Sequence, residues 1–199
     1  KIILTGGVTI YQSPVEIFNC IFNNSFAEDS LNIVRSNFKI NNSIFNQSAS
    51  DALDIDFSKG LINNMLIKNS LNDGLDISGS NIKVTNIVIE NADDKALSVG
   101  ENSKINIDKI KIKDSFIGIA SKDSSYTKVK TAKILNTKFD FVGFQKKFEY
   151  SGSKSEIENL NKKIIDLKYL LSEGSSLKIN NKKLTSNKLN KEIIKTIYK

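Results

Sequence analysis

Charged residues recur in this chain at a step of about 22, and their types limit the chemistry they can do. Asp29, Asp51 and Asp73 form one series, continued by Lys95. Asn32, Asp54, Asp76 and Ser98 form a second; Asp56, Ser78, Gly100 and Lys122 a third; Glu101, Asp123 and Lys146 a fourth. Paired carboxylates can serve as general acid and base, as glycoside hydrolysis requires, or can bind a hard cation through oxygen. Carboxylates stacked about 5 Å apart repel unless a cation or hydrogen-bond donors lie between them. The pattern therefore calls for a partner. Lys95, Lys122 and Lys146 can act as internal counter-charges, or calcium can sit among Asp51, Asp54, Asp73 and Asp76. The ligand-binding candidates are Asp54, Asp56, Asp76, Lys95, Ser98, Glu101, Lys122, Asp123 and Lys146.

Turn chemistry accounts for part of this pattern. "SASDAL" and "LNDGL" are turn-like, and Asp caps backbone donors there, which explains Asp51 and Asp73. It does not explain Asp54, Asp56 and Asp76, which fall at outward positions of a strand, where Asp is normally depleted. Other chemistries are excluded by composition. With no His, Ser/His/Asp and Cys/His nucleophilic sets are impossible. One Cys, Cys20, rules out an internal disulfide and makes zinc a poor fit. Gly6-Gly7 is followed by no Gly-Lys-Ser/Thr and is no phosphate loop. A lyase would need a neutral Lys base, Lys95 or Lys122, yet flanking carboxylates raise a lysine pKa. The net charge of +7 gathers after residue 145 and implies no nucleic-acid face.

What must position these residues is an apolar column at Leu31, Leu53, Leu75, Leu97, Ile119 and Val142, with companions at Ile33, Ile55, Ile77 and Val99. Fixed self-similarity at this period marks a stacked-repeat architecture. Three short alternating strands per repeat, with no helical pattern between, fit an all-β, right-handed parallel β-helix of about 22 residues per coil rather than a sandwich or a leucine-rich repeat. Leu53, Ile55, Leu61, Met65 and Ile67 of one coil are expected to meet Leu75, Ile77, Ile82, Ile87 and Ile89 of the next. Asn42, Asn64 and Asn86, continued by Asp108, read as an internal amide ladder at a bend.

One domain is expected over residues 1–184, with regular coils at 8–150 and an irregular coil or hairpin at 151–184. The chain opens at Lys1 within a strand, as a fragment of a longer protein would. Residues 155–171 suit either an amphipathic helix or one more coil, the coil being favoured, and "SLKINNKKL" reads as a small hairpin. Residues 185–199 read as a short α-helix, capped by Ser186 or Asn187 and carrying Leu189, Ile193 and Ile197, that closes the open end of the solenoid. Tyr126, Phe144, Phe148 and Tyr150 can stack on sugars, but loop aromatics more often cover a flank. No apolar run is long enough to span a membrane.

The segments "EDSLNIVRS", "SDALDIDF", "NDGLDISGS", "DDKALSVGENS", "GIASKDSS" and "FQKKFEY", in this order, resemble a group of bacterial right-handed parallel β-helix repeat proteins of the pectate-lyase-like class. The resemblance covers residues 6–150. It implies the C-terminal part of a larger exported or envelope-associated protein, in some cases with a spore-coat-protein-H-like region upstream. Its recurrent polar residues map to Arg35, Asp54, Asp76, Lys95, Ser98, Glu101, Lys122, Asp123, Gln145, Lys146 and Lys147. Carbohydrate-active members of the wider class use outward carboxylates, Lys, Arg or calcium. The polygalacturonase-like Asn-Thr-Asp and Gly-His-Gly signatures are absent. The functional expectation is a non-catalytic module that binds polysaccharide or cell-envelope glycan through the Asp/Lys strip, in partnership with an upstream domain of the same chain. The alternatives are a lyase or hydrolase using Asp54/Asp76 and Lys95/Lys122, and a structural spacer.

Overall fold

The computed structural model describes residues 5–198; the start of the strand read from Lys1 and the last position of the expected helix lie outside them. The apolar column is the core of a right-handed parallel β-helix. Gly6–Tyr11, Asp29–Val34, Asp51–Asp56, Leu75–Ser78 and Lys95–Gly100 pair in parallel, followed by the C-terminal parts of Lys104–Lys122 and Tyr126–Phe144 and by Tyr169–Leu171. A second and third face are built mainly from the long strands Asn37–Ser48, Lys59–Ser70, Asn81–Ala92, Lys104–Lys122 and Tyr126–Phe144. Leu31, Leu53, Leu75 and Leu97 are fully sequestered, as are Ile33, Ile55, Ile77 and Val99. Each contributes roughly 1.5–3 kcal/mol relative to exposure, and only the stack allows that burial.

The last column member is Phe141, not Val142. Ile119 stands opposite Phe141, so the step stays at 22 and Phe141 joins the interior, while Val142 points outward beside Ala120. An outward position would normally be polar. Here Ile117, Ala120, Val142 and Phe144 form an apolar patch on the outside of the first sheet, and the C-terminal helix, Asn190–Ile197, buries it with Ile193 and Ile197. The helix therefore lies along the flank of the solenoid instead of closing its end. Its N-cap position is Leu189, more than half exposed and without a side-chain cap, rather than Ser186 or Asn187.

Two further expectations change. Leu61 faces outward opposite Lys83, and the interior position of its coil is held by Ile62 opposite Val84. Beside it, Gly60 occupies the place that Phe38 and Ile82 hold in adjacent coils, because the Phe38 ring fills the space a side chain would need: a Cβ on Gly60 would stand 2.3 Å from it. The Asn42, Asn64 and Asn86 ladder exists, with amide bonds of 3.2 and 3.5 Å, but it is outside the barrel and Asp108 beyond it is exposed. Asn42 and Asn64 adopt φ of 50° and 54°, the left-handed corner conformation that Asn tolerates better than most residues, and such corners point their side chains to water. The buried polar ladder is made of serine instead. The amides of Ser36, Ser58 and Ser80 donate to the hydroxyls of Ser58, Ser80 and Ser103 at 2.9, 2.8 and 3.0 Å.

The tail adopts the coil reading, with strands Lys154–Leu160 and Tyr169–Leu171 around a single 3-10 turn at Ile164–Asp166. Ser176–Ile179 and Lys182–Leu184 form the expected antiparallel hairpin.

Candidate functional site

The outward side chains of the first sheet form the site. Strand register places Asp29 beside Asp51, Asn32 beside Asp54 beside Asp76 beside Ser98, and Asp56 beside Ser78 beside Gly100. A second strand position faces out two residues on, so the Asp54 and Asp56 carboxylates share one neighbour: the Asn32 side-chain amide donates to Asp54 Oδ2 at 2.8 Å and to Asp56 Oδ2 at 3.5 Å. Asp51 Oδ1 accepts from the Asn72 side chain at 2.7 Å and from the Asp73 amide at 2.8 Å. Asp29 accepts from Thr5 at 2.8 Å.

The acidic end of the strip is under electrostatic load. Burial first, then the facing Asp56 and Asp76 carboxylates, pushes Asp54 up to about 9, so it holds its proton at neutral pH. Burial and Asp73 push Asp51 up to about 7. Burial pushes Asp73 up to about 6 although Lys95 pulls the other way. Asp56 and Asp29 are raised too, in each case chiefly by burial.

At the other end Lys95, Lys122 and Lys147 are committed to acidic partners. Lys95 is 3% exposed; its ammonium lies 3.4 Å from Asp73 and bonds Asp94 more closely still. Burial alone would lower its pKa, but Asp73 and Asp94 more than offset this and raise it. Lys122, 6% exposed, donates to Ser98 at 2.6 Å and lies 3.7 Å from Asp76; burial would lower its pKa, but Asp76, Tyr198 and Asp73 together offset this and raise it. Lys147 pairs with Glu101 at 2.6 Å. Lys146 pairs with no acid among the described residues; it sits 4.8 Å from the Tyr198 ring centroid and is shifted down by burial and by Lys122 and Lys95, so it is not the counter-charge expected of it.

Asp123 leaves the strip. It is wholly buried, and its Oδ1 accepts the Lys146 and Lys147 amides at 2.6 and 2.8 Å, a turn-closing role; its Oδ2 has no partner among the described residues. Gln145 likewise ties its own loop, donating to the carbonyls of Lys147, Phe148 and Tyr150. Arg35 lies at the next corner, outside the strip, 5.7 Å from the Phe57 ring centroid. Comparison with protein-family models, with curated proteins and with solved structures finds no match. The geometry of the strip therefore carries the functional reading by itself.

For a cation, one oxygen each from Asp51, Asp73 and Asp76 lies within 4.8 Å of the others, a hard-donor set of the kind calcium takes. Asp54 belongs with Asp56 and Asn32 instead. Two residues join the site that repeat spacing does not point to. Asp94 is the closer partner of Lys95 and was legible as the acid preceding it in "DDKAL". Tyr198 stacks on both Lys95, at 5.2 Å, and Lys146, and comes from a helix whose docking position nothing in the repeat specifies. Among the aromatics, Phe144 is buried under that helix, Tyr126 lies 5.3 Å from the Lys154 ammonium, and Phe148 is 93% exposed.

Proposed function

We propose that this chain is a glycan-binding module of an exported or surface-associated bacterial protein, acting beside an upstream domain of the same chain and contacting polysaccharide through the strip around Asp54, Asp56 and Asp76. The observation that carries this reading is the division of labour along the strip. Lys95, Lys122 and Lys147 are spent on Asp73, Asp94, Asp76 and Glu101, whereas among the described residues Asp54 and Asp56 have an amide neighbour and no cationic one. A carboxyl that keeps its proton beside carboxylates offers donors and acceptors together, which suits the vicinal hydroxyls of a sugar. The flat parallel face would present these groups in line along the solenoid axis. Calcium held by Asp51, Asp73 and Asp76 would supply charge neutralisation at the acidic end. Membership of the pectate-lyase-like group, and a spore-coat-H-like region upstream, belong to this proposal and rest on the segment resemblance.

The lyase alternative is weakened by the raised pKa of Lys95 and Lys122, since neither can accept a proton near neutrality. A hydrolase retains one supporting feature, the proton held on Asp54 next to other carboxylates. Glycan arrays and affinity electrophoresis with wild type, Asp54→Asn and Asp76→Asn test the binding reading, and a panel of uronate and neutral polymers assayed for new reducing ends or unsaturated products tests catalysis. Binding that both substitutions weaken, with no turnover, supports the module; unchanged binding in both variants removes the strip, and turnover abolished by Asp54→Asn installs the hydrolase.

A further inference from the structure

The second face of the solenoid, which runs from Val15–Phe18 to Ser176–Ile179, carries a charge pattern of its own. Two neighbouring outward columns follow the stack. One holds Lys59, Lys104 and Lys154, separated by Asn81 and Tyr126. The other holds Lys39, Lys83, Lys128 and Lys178, separated by Leu61, Asn106 and Glu156. Lysine takes alternate rungs of each column and the two columns are out of step, so every coil from Lys39 to Lys178 presents one lysine and no two lysines stack directly. At about 4.8 Å per coil the series extends for about 29 Å. All its members but Lys128 are exposed. Lys39, Lys128 and Lys154 pair with the surface acids Glu16, Glu158 and Glu156, while Lys59, Lys83, Lys104 and Lys178 have no acidic partner among the described residues.

The form of this array selects the partner. A staggered double row on a flat sheet meets negative charge spread over a plane, where a single file would follow one strand. Near Lys39, Lys59 and Lys83 the surface between the cations is apolar: a shallow hollow of about 570 Å3 is lined by these lysines together with Val15, Phe38 and Leu61. Lysine lays its methylene stem along such a surface and keeps its ammonium at the polar boundary, as at the edge between lipid headgroups and acyl chains. Single-stranded nucleic acid is held instead by aromatic faces along a basic groove. The two columns offer one aromatic, Tyr126, whose ring is already faced by the Lys154 ammonium at 5.3 Å, and Phe38 in the hollow is only 4% exposed. The outward acids Asp54, Asp56 and Asp76 stand on the first sheet, so charge is segregated by face. That segregation would orient the chain on a negative surface, with the lysines inward and the Asp strip turned away.

We propose that the lysine face is a peripheral docking surface for a membrane rich in anionic phospholipid. The site is independent of the Asp strip and of its glycan reading. The test is co-sedimentation of the whole chain with vesicles of equimolar phosphatidylcholine and phosphatidylglycerol, beside vesicles of phosphatidylcholine alone, at low and high salt. Wild type is expected to bind the mixed vesicles, to release them at high salt and to ignore the neutral ones. Lys59→Glu/Lys104→Glu should lose roughly tenfold or more in partitioning. Lys133→Glu/Lys138→Glu, the same charge change at exposed lysines outside the two columns, and Asp54→Asn/Asp76→Asn should partition as wild type. Failure of wild type to bind the mixed vesicles, equal binding to the neutral ones, an equal loss in the Lys133/Lys138 variant, or equally tight binding of a single-stranded oligonucleotide overturns the proposal.

Discussion

Lys95 lies one coil beyond Asp73 in the same outward column, and the two close an ion pair of 3.4 Å with side chains 4% and 5% exposed. The backbone strengthens the link, since the Lys95 amide also donates to Asp73 Oδ1 at 2.9 Å. A charge buried this deeply is costly without its partner. Lys95→Met should therefore lower the unfolding free energy by about 3–5 kcal/mol, measured by urea denaturation, because it leaves Asp73 facing Asp51, Asp76 and Asp94. Adding Asp73→Asn should recover part of that loss. If Lys95→Met is as stable as wild type, the pair is not holding the strip together.

Stability should fall as pH rises. Asp54, Asp51 and Asp73 have folded-state values of about 9, 7 and 6 against an ordinary 3.8. Between the ordinary value and each raised one, the folded chain binds more protons than the unfolded chain, so rising pH favours unfolding. The slope is at most about 1.4 kcal/mol per pH unit for each proton. Thermal midpoints from pH 5 to pH 9 should decline, and Asp54→Asn should flatten the upper part of that decline, above pH 7. A midpoint that rises steadily over this range would show that the carboxylates are ionised and compensated.

Calcium should act on two of these groups, Asp51 and Asp73, in the opposite direction. Binding to Asp51, Asp73 and Asp76 stabilises the folded state by about 2.7 kcal/mol at a hundredfold excess over Kd, and most strongly at pH 8, where proton competition is weakest. The expected result is a higher thermal midpoint in calcium than in chelator, lost in Asp51→Asn/Asp76→Asn. Equal midpoints in wild type would remove the cation from the strip.

The repeat made most of this architecture readable, because a residue's place in a 22-step column fixes its neighbours above and below. Asp54 beside Asp76 and Lys95 beyond Asp73 follow from counting alone. The same counting reaches the serine corner, Ser36, Ser58 and Ser80, although hydroxyls at a turn look like ordinary polar loop residues. What counting does not reach is direction at corners. Asn42 turns out because its backbone is left-handed, and Asp123 turns in to close a loop 23 residues downstream. Nor does it reach Tyr198, whose contacts with Lys95 and Lys146 depend on where a non-repeating helix docks. The Phe141 and Val142 assignment failed for a related reason: both are apolar, and only the covering helix explains an apolar residue facing outward.

That pair of neighbours also separates the interior from the helix-covered flank. Phe141 fills the solenoid interior at 2% exposure, so Phe141→Ala should cost about 3–5 kcal/mol of global stability through the cavity it leaves. Val142 instead meets the helix that carries Ile193 and Ile197. Val142→Asp places a charge in that small contact and should release Asn190–Ile197 while the coils stay folded. Hydrogen exchange distinguishes the two: amides of the helix should lose protection in Val142→Asp with those of Asp51–Asp56 and Lys59–Ser70 unchanged, whereas Phe141→Ala should reduce protection in the coil strands around it. Released along with the helix, Tyr198 would leave Lys95 and Lys146, and its fluorescence should report the same transition. A Val142→Asp variant that retains full helix protection would show that the flank contact does not hold the helix in place.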